Sequence, residues 1–136
     1  MPDSRKAFFD SNVLLYFASG DDDRADQVEE IIDDDSTISV QVLNEVANVA
    51  RRKWKMPWSD ANALSVRLRE MFEVIPLTEQ IHLDGIRIAE RYRLSVYDGF
   101  ILAAAAVSGC EILYSEDLHH GLVVDGRITV VNPFRD

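Results

Sequence analysis

The sequence predicts an α/β protein built on a central, mainly parallel sheet of about five strands with helices on both faces. Two observations carry this. Strand-like and helix-like segments alternate along the whole chain. The strand-like segments are short continuous apolar runs rather than period-two alternations, as expected of strands buried on both faces. With 136 residues and no linker, repeat or low-complexity stretch, the chain reads as one domain over residues 1–136.

The elements follow in order. The run "KAFFD" is a strand that ends in an acid, Asp10. Residues 11–19 have helical spacing and stop at Gly20. Residues 21–35 form an amphipathic helix with Ala25, Val28, Ile31 and Ile32 on one side. Acids crowd both its ends, favouring the helix dipole at the first and opposing it at the second. "TISV" is a second strand, and residues 41–55 form a helix that ends before Pro57. Residues 59–72 are a further helix, with Ser59 as its N-cap. "EVIPL" is a third strand; residues 78–93 are a helix capped by Thr78, and residues 95–109 a helix that stops at Gly109. "EILYS" and "ITVV" are the fourth and fifth strands.

Composition narrows the function. No apolar run is long enough to span a bilayer, the N-terminus lacks the pattern of a signal peptide, and the single Cys110 suits a small buried thiol. A cytosolic protein follows as the default. The net charge of −10 argues against loose, generic nucleic-acid binding. The charge is uneven, however: residues 51–93 hold 9 bases and 6 acids, so the middle of the chain is basic between acidic ends. Any polyanion needs that stretch or bound cations.

Four acids stand where acids are costly. Ligands of open α/β sheets bind beyond the carboxyl ends of the strands. Asp10 ends the first strand and Asp117 follows the fourth. Glu45 shares the helix face of Val42, Val46 and Val49, which points at the core. Asp98 shares the face of Ile101, Leu102 and Ala105, although Ser95 to Asp98 also resembles a capping box. Carboxylates gathered at one sheet edge repel by roughly 4 kcal/mol per pair at ~4 Å and an effective dielectric of ~20. Such a cluster survives if some acids stay protonated or a cation sits among them. Oxygen-only ligands point to Mg²⁺ or Mn²⁺ rather than zinc.

The segments "FFDSNVLLY", "LNEVANV", "YDGFILAAA" and "LYSEDLHHG…NPF" resemble, in order and spacing, the motifs of the PIN-domain family, most nearly its VapC-type ribonuclease toxins. The resemblance runs the length of the chain. It implies a three-layer α/β/α nuclease, usually a homodimer, that cuts RNA with Mg²⁺ or Mn²⁺ and is blocked by a cognate antitoxin. By the same resemblance, Asp10, Glu45, Asp98 and Asp117 match the family's four acidic metal-site positions. Asn12 matches a polar position beside the first acid, and Ser115 the hydroxyl of the Thr/Ser-x-Asp motif. Glu116 is an additional acid that is easily mistaken for the motif position.

Several residues keep two readings. Arg51, Arg52 and Lys53, with Trp54, either contact RNA through charge and stacking or simply suit a helix C-terminus. His119 and His120 read as loop or interface residues, since consecutive residues after a strand point in different directions. His82 lies mid-helix and carries no signal. A haloacid-dehalogenase phosphatase needs an acid where Asn12 stands, and a phospho-receiver needs a late lysine, whereas the last lysine is Lys55. The remaining alternative is a catalytically weak PIN-like module that acts as a protein-binding partner.

Overall fold

A computed structural model describes residues 5–135. The signal-peptide reading of the N-terminus rests partly on residues 1–4, which lie outside the described residues. Six strands make one sheet: β1 (Ala7–Phe9), β2 (Thr37–Ser39), β3 (Glu73–Ile75), β4 (Ile112–Tyr114), β5 (Val123–Val124) and β6 (Ile128–Val131). Their order is β3-β2-β1-β4-β6-β5. All pair in parallel except β5, which is antiparallel to β6.

The helices are α1 (Ser11–Leu14), α2 (Asp22–Glu30), α3 (Val40–Arg52), α4 (Trp58–Met71), α5 (Glu79–Tyr92) and α6 (Val96–Val107). The chain steps from β1 outward to β3, then returns past β1 to β4 and β6. By the right-handed crossover rule, α1–α4 cover one face and α5 and α6 the other, and α3 packs on α1 and α4 while α5 packs on α6. The result is the three-layer α/β/α arrangement, with Phe8, Phe9, Ile38, Ile112 and Leu113 fully buried in the middle layer. Cys110 is buried nearby, and burial pushes its thiol up to about 11, so it is inert at neutral pH.

Three local expectations are corrected. The sheet has a sixth strand, β5, because a two-residue strand gives no periodicity to read. Ser59 is not an N-cap: α4 starts at Trp58 behind Pro57, whose fixed φ suits the entry and whose side chain makes no cap hydrogen bond. The acidic helix is shorter than residues 21–35. It ends at Glu30, and Asp33 instead accepts the Asp35 backbone N–H in a turn (2.9 Å). Ile31 and Ile32 still pack on the core.

Two glycines set the approach of α5 to α6. A Cβ on Gly99 would overlap the carbonyl oxygen of Gly85, and one on Gly85 would overlap the ring of Phe100. This close packing seats the Phe100 ring against α5.

Candidate active site

The chain reverses its direction of travel across the sheet between β1 and β4, so their carboxyl ends open a crevice. Phe9 is level with Tyr114, which sets Asp10 opposite Ser115 one residue further on. Asp10 is also the N-cap of α1, accepting from the Ser11 backbone N–H at 2.8 Å through Oδ1. Its Oδ2 accepts from Ser115 Oγ (3.0 Å) and Asn12 Nδ2 (3.2 Å). Asn12 in turn donates to Ser115 Oγ (3.2 Å), and its Oδ1 accepts the Glu116 backbone N–H (3.0 Å). The two sequence-predicted supporting residues thus join the first and last motifs in one network.

Glu45 arrives from α3, which Ser39 caps at the end of β2. Its Oε1 accepts from Ser11 Oγ (3.0 Å) and its Oε2 from Gln41 Nε2 (3.4 Å). Asp98 arrives from the first turn of α6, whose N-cap Ser95 accepts the Asp98 N–H at 3.1 Å, as the capping-box pattern implied. Asp10, Glu45, Asp98 and Asp117 line one open cleft of about 270 Å³ with Ser11, Asn12, Asn48 and Val49. Four separate elements therefore supply the four acids.

The electrostatics follow from this gathering. Burial raises the Asp10 carboxyl to about 6, against the hydrogen bonds from Ser115 and Ser11 and with the charges of Glu45 and Asp98 adding to the rise. Burial likewise raises Glu45, and the charge of Asp98 adds to it. Asp98 is raised by burial and by the charge of Asp117. No basic residue is among those lining the cleft. The donor set fits a hard divalent cation: every side-chain donor is oxygen, and the cluster carries uncompensated negative charge. Among the described residues, no three His, Cys, Asp or Glu close on one point as a ready-made cage. Oxygen donors of this kind suit a hard divalent cation such as Mg²⁺ better than zinc, which favours Cys and His ligands.

The remaining residues are placed as follows. Glu116 accepts from Tyr16 Oη at 2.7 and 3.0 Å. His120 Nδ1 accepts the Asn132 backbone N–H (3.0 Å), a loop-fixing role, and His119 is exposed. Arg51 donates from Nη1 to the Met56 carbonyl, and its guanidinium lies 4.0 Å from the centre of the Trp58 ring. Arg52 and Lys53 are exposed and Trp54 is partly buried. Sequence reasoning missed Ser11, Gln41 and Tyr16 as partners of the acids. Gln41 was within reach, since it stands four residues before Glu45 on one helix face.

The PIN-domain family profile matches residues 7–122. This chain belongs to the PIN-domain family. Its fold is similar to that of a chain in a toxin–antitoxin complex from Klebsiella pneumoniae, with TM-score 0.72 and 25% identity over 96% of this chain and 99% of that one. It is also similar to Mycobacterium tuberculosis VapC20, a toxin that cleaves the sarcin-ricin loop, with TM-score 0.68 and 19% identity over 82% and 89%. A third likeness is to VapBC2 from Rickettsia felis, bound to a fragment of promoter DNA, with TM-score 0.66 and 15% identity over 91% and 96%. Comparison with curated protein sequences gives no match.

Proposed function

We propose that this PIN-domain protein is a Mg²⁺- or Mn²⁺-dependent endoribonuclease toxin of the cytoplasm, a homodimer held in check by a cognate antitoxin. One observation carries the reading: four acids from four elements line a single cleft with no base among them. The solved toxin and toxin–antitoxin structures that share the fold support it. Among the described residues, no helix is long and apolar enough to cross a membrane.

Asp10, Asp98, Asp117 and Glu45 would hold the cation, which when bound activates water and neutralises charge on the phosphodiester. The chain's own residues do the rest. Ser115 and Asn12 fix the Asp10 carboxylate, and Ser11 bridges it to Glu45. Glu45, half-buried, is held at the side of the cleft by hydrogen bonds from Ser11 Oγ and Gln41 Nε2. The test is cleavage of RNA with Mg²⁺ or Mn²⁺ present and then chelated, in the native protein and in Asp10→Asn and Asp98→Asn. Metal-dependent cleavage lost in both variants is expected; full activity in both overturns the assignment.

A further inference from the structure

A larger cavity, about 610 Å³, opens beside the acid cleft between α3, the start of α5 and the first turn of α6. The two share Glu45 and Asn48 as a common wall. Gln41, only 8% exposed, ties them together: its Nε2 donates to Glu45 Oε2 (3.4 Å) and to the Tyr97 carbonyl (3.2 Å). Tyr97 is also the chain neighbour of Asp98. The far wall is aromatic. The Tyr97 ring, 62% exposed, stands edge-on to Phe100 at 6.1 Å, and His82 stacks on Phe100 at 5.3 Å and 29°. The near wall carries the exposed amides of Asn44 and Asn48.

This combination selects its occupant. Glu45 is the one acid among the residues lining the cavity, and no lysine or arginine lines it, so an anionic group such as a phosphate is disfavoured there. A flat ring gains both a stacking surface and amide donors and acceptors for its edge. Nucleobases present those two features together, and Asn and Gln are suited to reading base edges. A phosphodiester held over the acid cleft would carry its neighbouring base to the adjoining cavity. A base still paired in a helix has no free face to offer, so the strand must be unpaired at that nucleotide.

We propose that the Tyr97–Phe100–His82 cavity is a nucleobase subsite that receives an unpaired base next to the scissile phosphate, and that Asn44 and Asn48 read its edge. The subsite rests on the nuclease reading for its place in the reaction but not for its capacity to bind RNA. Its volume lies within the ~300–1,000 Å³ range of small-ligand sites.

The test is equilibrium binding of a short unpaired RNA, and of the same strand in a duplex, to Asp10→Asn protein with Mg²⁺ present. Binding is compared with and without Tyr97→Ala or Tyr97→Phe, and cleavage is followed in the otherwise native chain. Losing one stacking partner weakens affinity for the unpaired strand roughly tenfold. Tyr97→Phe retains affinity, duplex binding is unchanged, and Tyr97→Ala lowers kcat/KM without altering the metal requirement. Unchanged unpaired-strand affinity in Tyr97→Ala overturns the subsite while leaving the nuclease reading intact. Tyr97-dependent binding without any cleavage by the native protein overturns the nuclease reading and leaves the subsite. If Tyr97→Ala instead disrupts self-association or binding of a protein partner, with RNA affinity unchanged, the cavity is a protein interface and the proposal falls.

Discussion

Asp10 and Asp125 each follow the last residue of a strand, yet the chain surrounds them in opposite ways. Asp10 is 4% exposed, faces Glu45 and Asp98, and its carboxyl is pushed up to about 6. Asp125 stands on the surface after β5, where Arg87 Nη2 donates at 2.9 Å, Tyr92 Oη donates at 3.1 Å, and Arg91 lies at 3.9 Å. Those partners, the Arg87 hydrogen bond foremost, hold Asp125 below the usual carboxylate range. One carboxylate is satisfied by cations of its own chain and pins a turn to α5. The other is gathered among acids, with no base in the cleft lining to balance its charge. A structural acid and a functional acid differ in who supplies the counter-charge.

The largest expected effect breaks this comparison most directly. Asp10→Asn and Asp98→Asn each lower metal-dependent RNA cleavage roughly a hundredfold or more, measured as kcat/KM. Asp125→Asn leaves cleavage within a factor of about two, because it lies outside the cleft lining.

The two sites also titrate with opposite signs. Asp10 binds its proton more tightly in the folded than in the unfolded protein, so its ionisation opposes folding. In metal-free buffer that cost is absent below the unfolded value of 3.8 and grows as pH rises toward about 6. It reaches about 3 kcal/mol above that, at about 1.36 kcal/mol per pKa unit. Glu45 and Asp98, also raised, add in the same direction. Asp125 is lowered, so its contribution is present above the unfolded value and is lost as pH falls through the folded one. Denaturant unfolding across this range is expected to show the metal-free protein losing stability between about pH 4 and 6 more steeply than Asp10→Asn does. Parallel curves would break the contrast.

A cation sharpens it from the other side. Mg²⁺ or Mn²⁺ that binds only the folded protein stabilises it by about 2.7 kcal/mol at a hundredfold excess over Kd. The thermal midpoint of the native chain rises accordingly, that of Asp10→Asn rises little, and that of Asp125→Asn rises like the native chain. Equal midpoint shifts in Asp10→Asn and the native protein would place the ion elsewhere.

Much of the cleft was legible in sequence because three of its acids stood where a local rule disfavours them. Glu45 stood on a core-facing stripe, Asp98 on the apolar face of its helix, and Asp10 at the close of a buried strand. All four line one cleft with Asn12, and Ser115 hydrogen-bonds Asp10 beside it. What stayed hidden depends on pairings between distant segments. The Ser11 bridge to Glu45 spans 34 positions and the Tyr16 contact to Glu116 spans 100, and neither leaves a periodicity. His82 gave no signal because its role comes from Phe100 on the next helix. The strand β5 was recoverable from a different cue. Asp125-Gly126 after two valines is a hairpin signal, and both residues have positive φ, 53° and 66°. The Arg127 N–H closes that turn onto the Val124 carbonyl at 3.0 Å.

That turn gives the smallest prediction. Asp125→Asn keeps a residue that tolerates the left-handed backbone. It can still accept from Tyr92, and its backbone N–H still donates to Tyr92 Oη (2.7 Å). What it loses is the charge facing Arg87 and Arg91, in a surface pair whose side chains are 51% and 27% exposed for Arg87 and Asp125. Exposed pairs of this kind contribute roughly 0.2–1 kcal/mol and are screened by salt. Asp125→Asn should therefore cost less than about 1 kcal/mol in denaturant midpoint at low ionic strength, and close to nothing in molar salt. A larger, salt-insensitive loss would mean that the hairpin turn depends on this carboxylate for its conformation. Asp125 would then be tied to its surroundings as tightly as Asp10 is. The line between an acid that holds the fold and an acid that awaits a ligand would have to be drawn from hydrogen-bond geometry rather than from counter-charge.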